Sequence, residues 1–326
     1  MAGSRGIERV LAKCEACISD GNFYEAHQMI RTLYFRYSGQ QKYAEAIDLL
    51  YRGALTLLTH NQYGSGADLS LLLVDTLNKS CTPVTDETMD RLVHLLEKMD
   101  PDCPERIAYI SHAIKWSSSS DISHKRGHPD LHQKFGVIFW HEHNYPQARY
   151  HYLHSMDGKG CAAMLLEYHV QQGYPSEVDL FITQAVLQYL CLKNKTTAAD
   201  CFKAYTSGHP AIKTGPPYVM PLLNFIWFLL LALEGGKLTV FTVLCEKYQT
   251  SLSRDPSYKE YLDRIGQVFF GLPPPPAASQ GFFGNFLQNI LGGLDEDFDS
   301  PSTPSMSGSS HSVTANSRPE KVIDLD

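Results

Sequence analysis

Apolar residues recur at helical spacing along the chain, from its start to about Gly271. One stripe joins Ala26, Ile30 and Tyr37, which share a face because residues three, four and seven positions apart lie on the same side of a helix. The alternation of apolar and polar residues that marks a strand is almost absent. The pattern predicts an all-α body, with a small β-hairpin or turn insertion near 209–218.

An aromatic residue followed by a small one repeats along the amino-terminal part. Phe23, Tyr43 and Tyr63 stand twenty residues apart, an alanine follows each of them, and Tyr145 with Ala148 repeats the pair. Two such steps make a helical hairpin close to the roughly 34–40 residues of a tetratricopeptide-type repeat. Since one hairpin cannot bury its own apolar face, we expect an α-solenoid of tetratricopeptide-like hairpins over 1–271. A helical bundle with coincidental aromatic spacing is the alternative.

The most apolar stretch of the chain is 221–248. Its uncharged part, 222–233, is shorter than the about 20 residues that a membrane-spanning helix needs. Two glycines between Glu234 and Lys237 then interrupt it, as at the end of a helix. We expect two short helices folded back on each other, the first buried on every side, and Trp227 in the core. A membrane span through this stretch is the alternative.

Acidic residues concentrate at the carboxyl end. The formal net charge is −7, and the segment 272–326 holds seven acidic and two basic residues, or −5 of that charge. This segment is also rich in proline, serine and glycine, so we expect a disordered acidic tail. Within it, an amphipathic segment at 281–294 is expected to dock on a partner or to form a last helix on the body. The nearly neutral body argues against nucleic-acid binding.

Potential catalytic and metal-binding groups are numerous but do not form a known motif. The chain has 14 histidines, but the stretch "HEHNY" lacks the second histidine of a zinc-protease helix. The stretch "CEAC" has no second cysteine pair to complete a metal site. No nucleophile motif or phosphate-binding glycine loop is present. We therefore expect no enzyme, catalytic residue, cofactor or metal, with a zinc-dependent enzyme as the alternative. The 8 scattered cysteines and the lack of a leader-like start favour the cytosol over secretion.

Several long stretches, taken in one order, carry a more specific signal. They are "GNFYEAHQMIRTLYFRY", "MDPDCPER", "GHPDLHQ", "PPYVMPLLNFIWFLLLALEGGKLTVFTVLCEKY" and "DPSYKEYLDRIGQVFFG". From about Arg9 to Leu294 the chain resembles the Golgi-to-ER traffic protein 4 family. The resemblance implies a non-enzymatic cytosolic α-solenoid that acts as an adaptor in delivering tail-anchored membrane proteins to the endoplasmic reticulum, with no direct membrane insertion. A helical-repeat scaffold of another cytosolic assembly, of the proteasome-lid or vesicle-coat type, is the alternative.

The resemblance also implies two binding halves. The half at about 5–150 is expected to bind the tail-anchor targeting ATPase. The half at about 151–271 is expected to hold a ubiquitin-like adaptor or, in animals, a large chaperone scaffold with a ubiquitin-like domain. For the ATPase interface we select four residues that could face an acidic partner: Tyr24, His27, Arg31 and Arg36. We select Asp68 as the residue that would tune the nucleotide state of the ATPase. Asp68 could instead be a first-turn carboxylate that stabilises a helix dipole.

The loop at 209–218 is the predicted centre of the second interface. A loop that projects from a solenoid leaves a groove that an extended partner segment can fill. The candidate contact residues are His209, Ile212, Tyr218 and Phe225.

Overall fold

A computed structural model describes residues 2–118 and 124–273. In those ranges the chain forms 15 α-helices, and it contains no strand. The all-α prediction is therefore confirmed. The amphipathic segment 281–294 and the rest of the acidic tail lie outside the described residues.

The helices in chain order are α1 (Ala2–Ser19), α2 (Phe23–Gly39), α3 (Tyr43–Thr59), α4 (Tyr63–Lys79), α5 (Asp86–Lys98), α6 (Glu105–Ser117), α7 (Pro129–His141), α8 (Tyr145–His154), α9 (Gly158–Gln172), α10 (Val178–Cys191), α11 (Lys195–Gly208), α12 (Pro221–Gly235), α13 (Leu238–Lys247), α14 (Gln249–Leu252) and α15 (Ser257–Phe270). A 3-10 turn, Pro175–Glu177, precedes α10.

The twenty-residue step has a simple structural origin. Helices α2, α3 and α4 are 17 residues long, and each begins with the aromatic residue of the repeat. Between them run three-residue connections that share one backbone turn. In five connections of the described chain, the residue two positions before the next helix has a positive φ; these residues are Gly21, Gln41, Asn61, His143 and Lys193. A left-handed residue after a helix reverses the chain at once, so consecutive helices pack antiparallel.

In the third repeat the alanine, Ala67, follows its aromatic residue by four positions instead of three, and the structure explains this shift. Counted from the aromatic residue, Gly66 occupies the position of Ala26 and Ala46. A Cβ atom on Gly66 would lie 2.5 Å from Cγ of Leu58. Helices α3 and α4 therefore approach more closely than an alanine allows, and the glycine at this position is part of the packing pattern.

Two layers of helices build the amino-terminal part. Helix α3 packs on α1 and α5, α5 packs on α7, and in the second layer α4 packs on α2 and α6. Neighbours in sequence also pack on each other at α1–α2, α2–α3, α3–α4, α5–α6 and α6–α7, as in a solenoid. The buried apolar residues of the described chain form two cores, 14–138 and 139–265, whose boundary lies within α7.

The apolar stretch forms two helices, as predicted. Helices α12 and α13 pack on each other, and the chain turns between them at Gly236, which has a φ of +62°. The prediction that α12 is buried on every side is wrong, because Phe228 and Leu231 are 37% and 47% exposed. Among the described helices, none combines the length and the apolar character that a bilayer crossing requires.

Candidate functional site

An exposed stripe on α2 forms the first candidate surface. Its residues are seven and four positions apart, so they share one side of the helix, while Ala26 and Ile30 face the core. Tyr24 is 76% exposed and Phe35 is 57% exposed, and the guanidinium carbon of Arg31 lies 5.8 Å from the centre of the Phe35 ring. We call Tyr24, Arg31 and Phe35 the α2 stripe.

Behind the α2 stripe, α4 supplies a carboxylate. Nη1 of Arg31 donates to Oδ1 and Oδ2 of Asp68 at 2.8 and 2.7 Å. Nε2 of His27 lies 2.8 Å from Oδ2 of the same carboxylate and donates the hydrogen bond between them. Residues predicted from two separate sequence stretches are thus in one hydrogen-bonded group. This group fixes the orientation of Arg31 at the surface.

Two details of the amino-terminal prediction change. Helix α4 begins at Tyr63, and Asp68 is in its second turn, so the first-turn dipole role of Asp68 is wrong. Arg36 is exposed but lies about 140° around α2 from Arg31, as five residues at 3.6 per turn require. The structure therefore joins His27, Arg31 and Asp68, places Tyr24 on the same side of α2, and places Arg36 elsewhere on α2.

The loop between α11 and α12 is the second candidate surface. Of the two forms predicted for 209–218, the structure has the turn: the loop is irregular, with a cis bond between Pro216 and Pro217. Asn224 ties the loop to α12, because its side chain accepts from the backbone N–H of Tyr218 at 2.7 Å and donates to its carbonyl at 2.6 Å. A groove of about 560 Å³ lies between the loop, α11 and α12, and Ile212 and Tyr218 are among its lining residues.

The other predicted residues near the loop have different environments. Phe225 is fully buried, so we assign it to the core and not to a partner surface. Trp227, expected in the core, lines the groove and is partly exposed.

His209 is a structural anchor of the loop. Its side chain is buried, and its Nε2 lies 3.0 Å from Nδ1 of His169, whose Nε2 lies 2.9 Å from the carbonyl oxygen of Tyr174. The N–H of Ala211 donates to Nδ1 of His209, so Nε2 of His209 carries the hydrogen and donates to His169. Burial, followed by the nearby His169, lowers the pKa of His209. The arrangement holds a neutral ring in place.

An exposed apolar patch on α12 and α13 was missed by sequence reasoning. Among the described side chains of α13, only Phe241 is buried. The large apolar residues left exposed are Phe228, Leu231, Leu238, Val240 and Val243. We call these five the carboxy-terminal patch. The sequence signal for this patch is the apolar stretch 221–248, from which a buried helix is predicted.

Reactive groups in the described residues do not assemble into a metal site. No group of three or more histidine, cysteine, aspartate or glutamate side chains in this part of the chain could hold a metal ion. In "CEAC", burial raises the pKa of the Cys14 thiol to about 11, which keeps it protonated at neutral pH. A protonated thiol is a poor nucleophile and a poor metal ligand.

Comparisons with known proteins agree with this architecture. The sequence model of the family described as Golgi to ER traffic protein 4 matches residues 40–294. The Xenopus tropicalis Golgi to ER traffic protein 4 homolog is 56% identical over 293 residues, which cover 90% of each chain. The human homolog is 54% identical over 301 residues, covering 92% of this chain and 91% of its own. The crystal structure of C. therm. Get4 superposes with a TM-score of 0.75 at 28% identity and covers 92% of this chain and 100% of its own. This chain, with its two-layered helical body and its two exposed surfaces, belongs to the Golgi to ER traffic protein 4 family.

Proposed function

We propose that the chain is a non-enzymatic cytosolic adaptor in the post-translational delivery of tail-anchored membrane proteins to the endoplasmic reticulum. It joins a targeting ATPase, bound at the amino-terminal half, to a chaperone scaffold and its ubiquitin-like partner, bound at the carboxy-terminal half. The observation that supports the proposal is the presence of two exposed candidate surfaces in one helical body, each beside a different hydrophobic core.

The α2 stripe suits the ATPase. Tyrosine and arginine are residue types that often dominate the binding energy of protein interfaces, and phenylalanine is enriched in them. Asp68 and His27 hold Arg31 in place, so its side chain loses little conformational freedom on binding. The side chain of Arg31 is still 32% exposed, which leaves room for a second acceptor on an acidic partner.

The carboxy-terminal patch and the adjacent groove suit the scaffold. Monomeric proteins rarely leave a contiguous apolar surface of this kind uncovered, and such patches mark protein-binding sites. The groove beside Ile212 and Tyr218 could accept an extended segment, while the patch could accept an apolar face. Helix α12 contributes to both, since Trp227 lines the groove and Phe228 belongs to the patch.

The test is a reconstitution with purified full-length chain, the targeting ATPase and the scaffold. Arg31→Glu should abolish ATPase binding and leave scaffold binding intact. Leu231→Asp combined with Val243→Asp should have the opposite effect. Arg36→Glu is the matched control for Arg31→Glu, because it reverses an exposed charge on the same helix outside the α2 stripe.

Two results would contradict the proposal. If wild-type chain binds neither partner, the adaptor function is wrong. If Arg31→Glu and Arg36→Glu weaken ATPase binding equally, the interaction depends on net charge and not on the α2 stripe. Circular dichroism of each variant, compared with wild type, checks that the fold is retained.

A further inference from the structure

The groove between α11, α12 and the loop that joins them carries charge of one sign. Its lining includes Lys203 on α11 and Lys213 in the loop, and it includes no aspartate or glutamate. Both lysines are exposed, and no carboxylate of residues 2–118 or 124–273 forms a salt bridge with either of them. The groove is therefore cationic, and the described part of the chain does not neutralise it.

Aromatic side chains line the same groove. Tyr218 packs edge-on against Phe202, with 5.8 Å between the ring centres, and Trp227 is also part of the lining. Tyr218 and Trp227 are only partly buried, so the side chain of a bound partner can cover them. Tyrosine and tryptophan at such positions are common anchors of protein interfaces. The groove thus offers apolar contacts as well as charge.

The loop that forms one side of the groove is held at both ends. At its start, the buried His209 side chain accepts a hydrogen bond from the backbone of the loop. At its end, Asn224 bonds both backbone groups of Tyr218, whose hydroxyl lies 3.5 Å from Oγ1 of Thr206 on α11. Lys213 lies between these two anchors. A partner therefore binds a formed groove and need not order the loop, which lowers the entropic cost of binding.

We infer that the segment of the scaffold that occupies this groove is extended and acidic. Carboxylates of that segment pair with Lys203 and Lys213, and an apolar side chain of the segment packs on Tyr218 and Trp227. This inference rests on the proposed function, because it takes the scaffold as the partner of the carboxy-terminal half. It adds the chemistry by which the groove recognises that partner.

Charge distinguishes an acidic segment from other occupants. A basic segment would bring like charges together, which opposes binding, and a neutral one would gain nothing from the two lysines. Carboxylates gain charge-assisted hydrogen bonds from the ammonium groups. Because Lys203 and Lys213 come from a helix and from a loop, a chain that runs along the groove fits them better than one small anion does.

Calorimetric titration of the scaffold into the full-length chain tests the role of charge. We expect the double variant Lys203→Gln with Lys213→Gln to bind about tenfold more weakly at low salt, or about threefold for each exposed ion pair. In about 1 M salt, where charges are screened within about 3 Å, it should bind almost as tightly as wild type. The matched control is Lys159→Gln with Lys195→Gln, which removes two positive charges outside the groove and should bind like wild type.

Cross-linking with a water-soluble carbodiimide tests the contact itself. The reagent activates a carboxyl group, a neighbouring lysine amine replaces it to form an amide, and the reagent leaves as a urea. In the complex of full-length chain and scaffold, mass spectrometry should find Lys203 or Lys213 joined to an aspartate or glutamate of the scaffold. Replacing that scaffold residue by its amide should weaken binding to wild type about threefold and should have little further effect on the double variant.

The results separate this inference from the proposed function. If the wild-type chain does not bind the scaffold, both are wrong. If it binds, but the groove variant binds as tightly as wild type at low salt or no more weakly than the control variant, this inference alone is wrong. Cross-links from the two lysines only to carboxylates of the same chain would also overturn it, because the scaffold would then not occupy the groove. Thermal unfolding of each variant checks that the body remains folded.

Discussion

Asp68 on α4 accepts hydrogen bonds from Arg31 on α2 through both oxygens of its carboxylate, at 2.8 and 2.7 Å. The two helices belong to one layer of the solenoid and are separated in sequence by α3. This pair therefore ties two neighbouring repeats together at the surface. The carboxylate of Asp68 is therefore not available as an unpaired charge, and a substitution at either residue leaves the charge of the other without its partner.

A double-mutant cycle measures this coupling. We expect Asp68→Asn and Arg31→Gln each to lower the free energy of unfolding by about 0.5–1 kcal/mol, a modest effect because the Asp68 side chain is 37% exposed to screening water. The double variant should lose less than the sum of the two. Urea denaturation at low and high salt is the measurement. Strictly additive losses would show that the ion pair does not contribute to stability in solution.

The contact between α3 and α4 at Gly66 predicts opposite effects for two glycines of one helix. Gly66→Ala places a Cβ atom 2.5 Å from Cγ of Leu58 and should destabilise the fold by about 1–3 kcal/mol. Gly64→Ala is the control, because no atom lies within 4 Å of its Cβ position. That substitution should stabilise α4 by up to about 1 kcal/mol, since alanine loses less backbone entropy than glycine. Thermal unfolding of the two variants should move the melting temperature in opposite directions, and equal shifts would contradict the close approach.

The fold was predictable because its signal is local and repeated. Phe23, Tyr43 and Tyr63 mark the first residue of three equal helices, and the glycines near 235 mark the end of α12. The left-handed residue in each connection was not predictable in the same way. Gln41, Asn61 and Lys193 occupy these positions although none is a glycine. In each case the backbone N–H of the next residue donates to a carbonyl five positions back, as Gln62 does to Leu57, so a local helix-end turn holds this conformation whatever the side chain.

The candidate surfaces were predictable only in part. Polar residues such as Arg31 and Asp68 were selected for their chemistry, but their mutual hydrogen bonds depend on how α2 and α4 pack. The exposure of apolar residues is harder to predict, because a phenylalanine in an apolar helix carries the same sequence signal whether it faces the core or solvent. Phe225 and Phe228 lie one turn apart on α12, and one is buried while the other is exposed. The difference is set by where the last helices leave α12 uncovered.

A pair of buried histidines between α7 and α8 predicts sensitivity to acid. Nδ1 of His132 lies 3.0 Å from Nδ1 of His151, and Nε2 of His132 lies 2.8 Å from the carbonyl oxygen of Arg126. Burial, with the nearby charge of His154, lowers the pKa of His132 to about 3. Burial also lowers the pKa of His151, with His132 and His154 as further causes.

The sign of the pH effect follows from these directions. In the unfolded chain histidine titrates near pH 6.5, so between about pH 6.5 and 3 the unfolded state binds protons that the folded state excludes. Stability is complete above that range and falls by about 1.4 kcal/mol per pH unit for each buried histidine as the pH decreases through it. We expect the unfolding free energy, measured from pH 6 to 4, to fall less steeply in His132→Gln than in wild type, by about 1.4 kcal/mol per pH unit. His141→Gln, at an exposed position at the end of α7, should keep the wild-type slope; if both variants keep it, the buried pair does not control acid stability.

The two phenylalanines of α12 allow stability and partner binding to be separated. Phe225 is fully buried and its ring centre lies 5.7 Å from that of Tyr248, so Phe225→Ala should lower the free energy of unfolding by about 3–5 kcal/mol. Phe228→Ala should cost about 1–2 kcal/mol, since its side chain is already 37% exposed.

Scaffold binding should show the reverse order. Phe228 lies in the carboxy-terminal patch, and its truncation should weaken scaffold binding about tenfold, which corresponds to about 1.4 kcal/mol. Phe225→Ala, measured at a temperature where it remains folded, should bind normally because a partner cannot touch a side chain inside the core. Urea denaturation and calorimetric titration give the two quantities for each variant. If Phe228→Ala binds the scaffold as tightly as wild type, the exposure of α12 has another cause and the patch is not the docking surface.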